Sequence, residues 1–304
     1  MTQQERNNIV EGLRAYVAKY PSQNKAAASL NGISAGTLSA ILNGKHEAIS
    51  EEMWRNIASQ IVMPSASSEW QFVETHAYQE IVYALKDAQE FKGVRWITGD
   101  AGCGKTTTAR LYTAENREVF TVLCDKDMRK GDFIREMARK VGFKYTGMRL
   151  RDILDTVIER LMRMENPLLI FDEGDKLKNE VLYFFINIYN RLEDKCGIVF
   201  MSTSYIQRRI ARGTNGVIEG YDEIFSRIGK KFFELEPTSA VDVAAICQAN
   251  GLYDRKQIDR IIEEADEKSF DLRCVKTAIH REKRQAQART KKQRSTANSC
   301  QASV

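Results

Sequence analysis

Apolar positions along the chain follow two different rhythms. Up to residue 62 they recur at helical spacing: residues 5–20 carry Ile9, Leu13 and Val17 four apart, with Tyr16 and Tyr20 beside them, which predicts an amphipathic helix. After a Pro21-Ser22 break, residues 24–30 and 34–42 read as two short helices separated by Asn31-Gly32. Another helix near 50–62 carries Met53, Trp54, Ile57 and Ile61. From residue 70 the pattern changes. Apolar runs of strand length at 94–98, 119–123, 168–171, 198–201 and 231–235 alternate with helical stretches such as 104–114, 132–141, 150–164 and 179–192. That alternation predicts an α/β fold, a parallel sheet covered by helices on both faces. After Pro237 only helical periodicity remains, at 239–250, 255–266 and 272–288. The run Met63-Pro64-Ser65-Ala66-Ser67-Ser68 has linker composition and marks a boundary. The expected organisation is a helical domain at 1–63, an α/β domain at 70–236, a helical domain at 237–288 and a basic disordered tail at 289–304.

Residues 25–42 have the layout of a helix-turn-helix. Ala28 and Gly32 allow close approach and a turn, and Ser34 is a natural N-cap for the second helix. Ile33, Leu38 and Leu42 are expected to pack inward, while Ala35, Thr37 and Ser39 face outward as on a recognition helix. This resembles the repressor-like helix-turn-helix family. No Arg or Lys follows until Lys45, and residues 1–60 carry six basic and five acidic side chains. The segment therefore reads either as a weak, non-specific DNA contact through Thr37, Ser39 and Lys45, or as a small module for protein contacts.

Charge and composition narrow the function classes. The formal net charge is +5, yet residues 281–294 alone hold seven Lys/Arg against one Glu, so the rest of the chain sums to about −1. The basic character sits in a terminal arm able to touch nucleic acid, not in the globule. No apolar run approaches the ~18 residues that span a bilayer, and the first residues are polar, which points away from membrane insertion and secretion. The six cysteines are scattered without a Cys-x-x-Cys clip and the three histidines do not cluster. A zinc site and a disulfide framework are both disfavoured, and a reducing cytosol is the simplest setting.

One motif carries specific chemistry. Gly99-Asp100-Ala101-Gly102-Cys103-Gly104-Lys105-Thr106 fits Gly-x-x-x-x-Gly-Lys-Ser/Thr without a mismatch, directly after the strand at 94–98 and at the start of a helix. The glycines let backbone N–H groups turn toward phosphates, and the helix N-terminus, with Thr107 next along, adds positive potential. Lys105 is expected on the β- and γ-phosphates of ATP, and the Thr106 hydroxyl on Mg²⁺. A later strand, Leu168-Leu169-Ile170-Phe171, ends in Asp172-Glu173. Asp172 would hold the Mg²⁺ shell and Glu173 would activate the attacking water. The strand at 197–201 ends in Ser202-Thr203-Ser204; any of the three could orient water and γ-phosphate, with Thr203 favoured. Arg227, in Phe225-Ser226-Arg227-Ile228-Gly229 just before the last strand, could act across a subunit boundary as an arginine finger.

Phosphate loop, Asp-Glu strand, polar strand end, pre-strand Arg and C-terminal helices together resemble the AAA+ ATPases, with the helices after Pro237 as their lid. Within them, Phe72-Val73-Glu74-Thr75, Phe171-Asp172-Glu173-Gly174-Asp175-Lys176-Leu177, Phe225-Ser226-Arg227-Ile228 and the helix-turn-helix start resemble the MuB-type target-DNA-binding ATPases of transposition, over about residues 1–285. The resemblance implies ATP-dependent binding of double-stranded DNA with little sequence preference, helical filaments of the protein, presentation of target DNA to a DDE transposase, and release after hydrolysis, in the cytoplasm of a bacterial host. It implies that Arg273, in Phe270-Asp271-Leu272-Arg273, reaches the phosphates from the lid, although Phe270 stands where the family usually has Gly. It also implies backbone contacts to DNA from Lys126, Arg129 and Lys130, and from Arg149 and Arg151. A helicase loader or replication initiator shares the same core; a DNA-binding regulator switched by nucleotide is a further alternative, disfavoured by the intact Glu173.

Overall fold

The computed structural model describes residues 3–17, 20, 22–46, 49–60, 70–216 and 218–301. The chain divides into two compact units, Met1–Gln71 and Phe72–Val304. The expected linker at 63–68 and residue Ile61 lie outside the described residues.

The first unit is helical: α1 (Gln3–Val17), α2 (Gln23–Ala28), α3 (Ala35–Leu42) and α4 (Glu51–Gln60). Its core is Ile9, Leu13, Ala26, Ala27, Leu30, Ile33, Leu38, Ile41, Trp54 and Ile57. Gly32, at φ 73°, makes the turn, and the Ser34 side chain caps α3 by accepting from the Thr37 N–H at 3.0 Å. Two expected positions differ. Ala26 and Ala27, not Ala28, supply the small buried surface of α2, and Ile41 is buried where Leu42 is only half-buried. Both shifts follow from α2 starting one residue earlier and α3 turning at its own 3.6-residue period.

The second unit is built on a parallel sheet of order β2-β3-β4-β1-β5. Its strands are β1 (Val94–Thr98), β2 (Val119–Leu123), β3 (Leu168–Asp172), β4 (Gly197–Ser202) and β5 (Phe233–Glu234). The intervening helices are α5 (His76–Phe91), α6 (Lys105–Glu115), α7 (Lys130–Val141), α8 (Leu150–Met162), α9 (Asn179–Leu192), α10 (Tyr205–Asn215) and α11 (Tyr221–Arg227). β3 and β4 are buried at every position, which is why they read as continuous apolar runs. Alternate residues feed two cores. Trp96, Phe171 and Phe200 join one face, with Trp96 stacked on its register partner Phe200 at 4.4 Å; Ile97, Ile170, Val199 and Met201 join the other, against α5 and α6. β5 is shorter than the expected 231–235: the chain leaves α11 through a left-handed turn at Gly229 and Lys230 (φ 73° and 54°), and only Phe233 and Glu234 come into register with β1. Leu235 still donates its N–H to the Thr98 carbonyl at 2.8 Å.

At Gly197 a Cβ would fall 2.2 Å from the Ala88 backbone carbonyl oxygen. α5 can approach β4 only over a glycine. Gly197→Ala is therefore expected to destabilise the unit by about 3 kcal/mol, read as a lowered urea midpoint.

The C-terminal helices are α12 (Ala240–Ala249), α13 (Arg255–Asp266) and α14 (Leu272–Gln301). α14 continues through 289–301, where the charge run suggested a disordered tail; Ala, Gln, Lys and Arg are good helix formers, and the stretch has no Gly or Pro to stop it. Glu264 of α13 accepts from Arg281 of α14 at 2.6 Å and from Lys268 at 2.7 Å. Those bonds, Arg281 first, hold its carboxyl down at about 2. A depressed carboxylate stabilises the fold above its unfolded pKa and loses that contribution as pH falls through the folded one. The α13–α14 junction should therefore loosen between pH 4.5 and 2; hydrogen exchange of α14 amides in that window, compared with Glu264→Gln, measures it. No helix among the described residues is long and apolar enough to cross a membrane.

Candidate nucleotide site

β1 delivers the chain into the loop 99–104, and α6 begins at Lys105. Gly102 and Gly104 hold φ of 80° and 105°, a region that L side chains rarely enter, so the spacing of glycines in the motif is a backbone requirement. Gly99 is required by packing, since a Cβ there would lie 2.8 Å from Leu235. The Lys105 ammonium arches back over the loop, donating to the carbonyls of Gly99 and Asp100 at 2.7 Å each and lying 3.4 Å from the Cys103 sulfur. Cys103 is buried, Ala101 and Asp100 are exposed, and Thr107 is half-buried. Thr108 closes the first turn by donating to the Gly104 carbonyl at 3.1 Å.

The sheet register sets the next element. β3 ends at Asp172, which is 2% exposed, and its carboxylate accepts from the Thr106 hydroxyl. Burial pushes the Asp172 carboxyl up, with the Thr106 and Glu173 hydrogen bonds pulling the other way. Glu173 follows in a left-handed conformation at φ 57°; its N–H donates to Asp172 Oδ1 at 3.0 Å and its carboxylate pairs with the Lys176 ammonium. A strained backbone at a residue beginning a 3₁₀ turn (Gly174–Lys176) marks a position over-determined by its surroundings.

The three candidates at the end of β4 separate cleanly. Ser202 is buried and its oxygen accepts from Trp96 Nε1 at 2.8 Å, which occupies it structurally. Thr203 is half-buried and donates to Asp175 Oδ2 at 2.9 Å; Ser204 is exposed at the start of α10. Thr203 thus belongs to the Glu173–Asp175 turn. Two contacts here had no sequence signal: Gln207 donates to the Thr98 hydroxyl at 3.2 Å, and Arg209 donates to the Asp175 carbonyl at 3.0 Å.

The lid meets the loop directly. Leu272 donates its N–H to the Gly102 carbonyl at 3.3 Å, and a Cβ on Gly102 would fall 2.0 Å from Asp271 Oδ1. Asp271 also accepts from the Arg273 N–H at 2.8 Å, so it caps α14. Phe270 adopts φ 54°, the left-handed conformation that a glycine would take without cost. Arg273 is exposed in the first turn of α14. Arg227 ends α11, its guanidinium 4.9 Å over the Tyr189 ring and 3.2 Å from Glu223 Oε1, with Nε buried and unpartnered.

The cationic candidates cluster at helix starts. Lys126, Arg129, Lys130, Arg149 and Arg151 are all exposed, in the loops before α7 and α8 or in their first turns. Arg149 is paired with Asp152 at 3.0 Å, whereas Lys130 and Arg151, with Arg191, line one cavity of about 560 Å³. In the first unit the expectation of an outward Thr37 and Ser39 needs correction. Both are half-buried; Thr37 shares its hydroxyl with Ser34 at 2.9 Å and Ser39 accepts from Asn43 at 3.3 Å, because the cap of α3 and its C-terminal turn use them. Lys45 is exposed.

Residues 89–210 match the family model described as AAA domain. Over that stretch the chain is similar to the AAA domains. The matched stretch runs from the end of α5 to α10 and contains the loop 99–104, Asp172, Glu173 and Thr203, so the nucleotide-binding reading rests on the same residues as the geometry. Beyond the AAA domain, the chain is similar to the ATP-dependent target DNA activator B of Escherichia phage Mu, 25% identical over 278 residues, covering 90% of this chain and 87% of the relative. It is similar to the protein of the same name from Escherichia phage D108 at 24% identity, with the same coverage. Among solved structures, the Aeropyrum pernix ORC1 protein in complex with DNA superposes with a TM-score of 0.49 at 17% identity, covering 69% of this chain and 59% of that one. AMPPCP-bound DnaA from Aquifex aeolicus gives 0.44 at 17%, covering 72% and 68%.

Proposed function

We propose that this AAA ATPase binds double-stranded DNA with little sequence preference in its ATP state, assembles on it as a helical filament, and delivers that DNA to a DDE transposase. The observation that carries the reading is the alignment to two target DNA activators across both units, not the AAA domain alone. The exposed cations at the starts of α7 and α8 support it, since sequence-blind binding needs Lys and Arg for phosphates and no base-reading side chains.

In the proposed mechanism, Lys105 leaves the carbonyls of Gly99 and Asp100 to bind the β- and γ-phosphates, while loop N–H groups cradle them. Thr106 and Asp172 fit a magnesium ion: a hydroxyl and a carboxylate already in contact form a hard oxygen pair. When bound, that ion neutralises charge developing on the phosphates. Glu173 takes the proton of the attacking water, Thr203 steadies the turn that presents Glu173, and Arg227 and Arg273 are assigned to the phosphates from a neighbouring subunit and from the lid.

Lys105→Ala is expected to lose ATP binding and, with it, ATP-dependent DNA binding. Fluorescence anisotropy of a random-sequence duplex, with and without ATP, and electron microscopy of the same mixtures test this. ATP-dependent affinity and helical filaments in the wild type, absent in Lys105→Ala, support the proposal; equal DNA affinity with and without ATP overturns it.

A further inference from the structure

We infer that Arg209 is a positioning residue that ties the turn bearing Glu173 to helix α11, so that a subunit's hydrolytic turn and the Arg227 it offers a neighbour move as one piece. The inference rests on the trans role proposed for Arg227 and adds the device that couples it to the subunit's own site.

Arg209 sits in the second turn of α10, half-buried. Each of its three guanidinium nitrogens donates a hydrogen bond. Nη1 donates to the Asp175 backbone carbonyl at 3.0 Å, Nη2 to Asn179 Oδ1 at 2.6 Å, and Nε to the Tyr221 hydroxyl at 3.0 Å. Tyr221 closes the network by donating to Asn179 Oδ1 at 2.9 Å. These acceptors lie on three separate segments: the 3₁₀ turn after β3, the first residue of α9 and the first residue of α11. None of them is a carboxylate, so the arrangement is not an ion pair that happens to hold an arginine. It uses the planar fork of the guanidinium to fix the relative placement of three segments, which a lysine ammonium cannot reproduce.

Each end of the network leads to chemistry. Asp175 accepts from Thr203 through its carboxylate and is two residues from Glu173. Tyr221 starts the seven-residue helix that ends at Arg227. That helix is stiffly mounted: Tyr221 is 3% exposed, its ring stands edge-on to Tyr183 at 5.7 Å, and it lies so close to Gly213 of α10 that a Cβ there would fall 2.4 Å from the ring. A shift of the Glu173–Asp175 turn is therefore passed through Arg209 to the base of α11 rather than absorbed by slack packing.

Tyr221→Phe removes only the hydroxyl and keeps the ring against Gly213; Arg209→Lys keeps the charge but not the fork. Both are compared with wild type for binding of a fluorescent ATP analogue, for basal and DNA-stimulated hydrolysis, and for the Hill coefficient in ATP. Nucleotide affinity should be unchanged. DNA-stimulated turnover should fall about 10-fold for Tyr221→Phe and up to about 100-fold for Arg209→Lys, the size expected for misplacement of catalytic groups by up to about 1 Å. The wild-type Hill coefficient should exceed 1 and fall to 1 in both. Wild-type stimulation and cooperativity in a folded Tyr221→Phe, an equal loss of basal and stimulated rates with cooperativity intact, or a wild-type coefficient of 1, overturns the inference. Mixing Arg227→Ala with Lys105→Ala, with co-assembly on DNA verified, tests the trans role separately: if mixing restores activity while Tyr221→Phe behaves as wild type, the trans role stands and the coupling falls; if the co-assembled mixture restores nothing, both fall.

Discussion

Glutamine at position 173 is expected to leave ATP bound and slow its hydrolysis by about 10²–10⁴, the range that a positioned general base supplies. The substitution keeps the side-chain shape and removes the ability to accept a proton. Its structural cost is small, because the lost pairing with Lys176 is solvent-exposed, with side chains 37% and 40% accessible, and exposed pairs contribute little. The backbone demand at φ 57° is unchanged between Glu and Gln. The phosphate contacts lie on other residues, Lys105 and Thr106, so nucleotide affinity should hold. If hydrolysis ends the DNA-bound state, as proposed, Glu173→Gln should also remain on DNA longer than wild type. Single-turnover hydrolysis and dissociation from labelled duplex measure the two effects; wild-type turnover would remove Glu173 from the mechanism.

Much of this site was legible in the sequence because its constraints are local. The glycines of the phosphate loop answer to φ values of their own residues, and β1 and β2 match the apolar runs 94–98 and 119–123 residue for residue. β3 and β4 were legible because full burial removes polar positions from the run. What escaped is non-local. Arg209 looks like one basic residue in Gln207-Arg208-Arg209, and only the packing of α10 on α11 over Gly213 selects it from its neighbour. The half-burial of Thr37 escaped because a hydroxyl near a helix start serves equally as a cap partner or as an outward contact, and nothing local decides between them. β5 was over-extended because apolar Phe232 and Leu235 flank a two-residue strand, and an apolar side chain beside a strand reads the same in sequence as one within it. The tail was misread for the opposite reason: net charge argued for disorder while helix propensity pointed to helix.

Arg227→Ala should bind nucleotide as wild type does and lose DNA-stimulated hydrolysis, by on the order of 10³ for an arginine finger. The structure gives a reason to treat this arginine as more than surface. It carries a buried, unpartnered Nε, its carboxylate partner Glu223 is exposed, and its plane rests on Tyr189. With Nε buried and Nη2 giving one N–H to Glu223, the guanidinium still has further Nη N–H groups to donate, and the helix beneath it is anchored at Tyr221. If it serves a neighbour, an isolated subunit has a phosphate loop without its finger, and DNA stimulates turnover by bringing subunits into register. Lys105→Ala lacks the other half of the composite site. Alone, neither variant should hydrolyse ATP on DNA. Mixed, a subunit with intact Lys105 can stand beside one with intact Arg227, so co-assembly in equal amounts should recover up to about a quarter of the wild-type interfaces, the limit reached when ATP-bound neighbours carry Lys105→Ala subunits into the assembly on equal terms. Activity restored on mixing, at a level that follows the mixing ratio, establishes action in trans. No recovery from a mixture that demonstrably co-assembles on DNA would confine Arg227 to its own subunit, where Glu223 and Tyr189 make it a packing residue of α11.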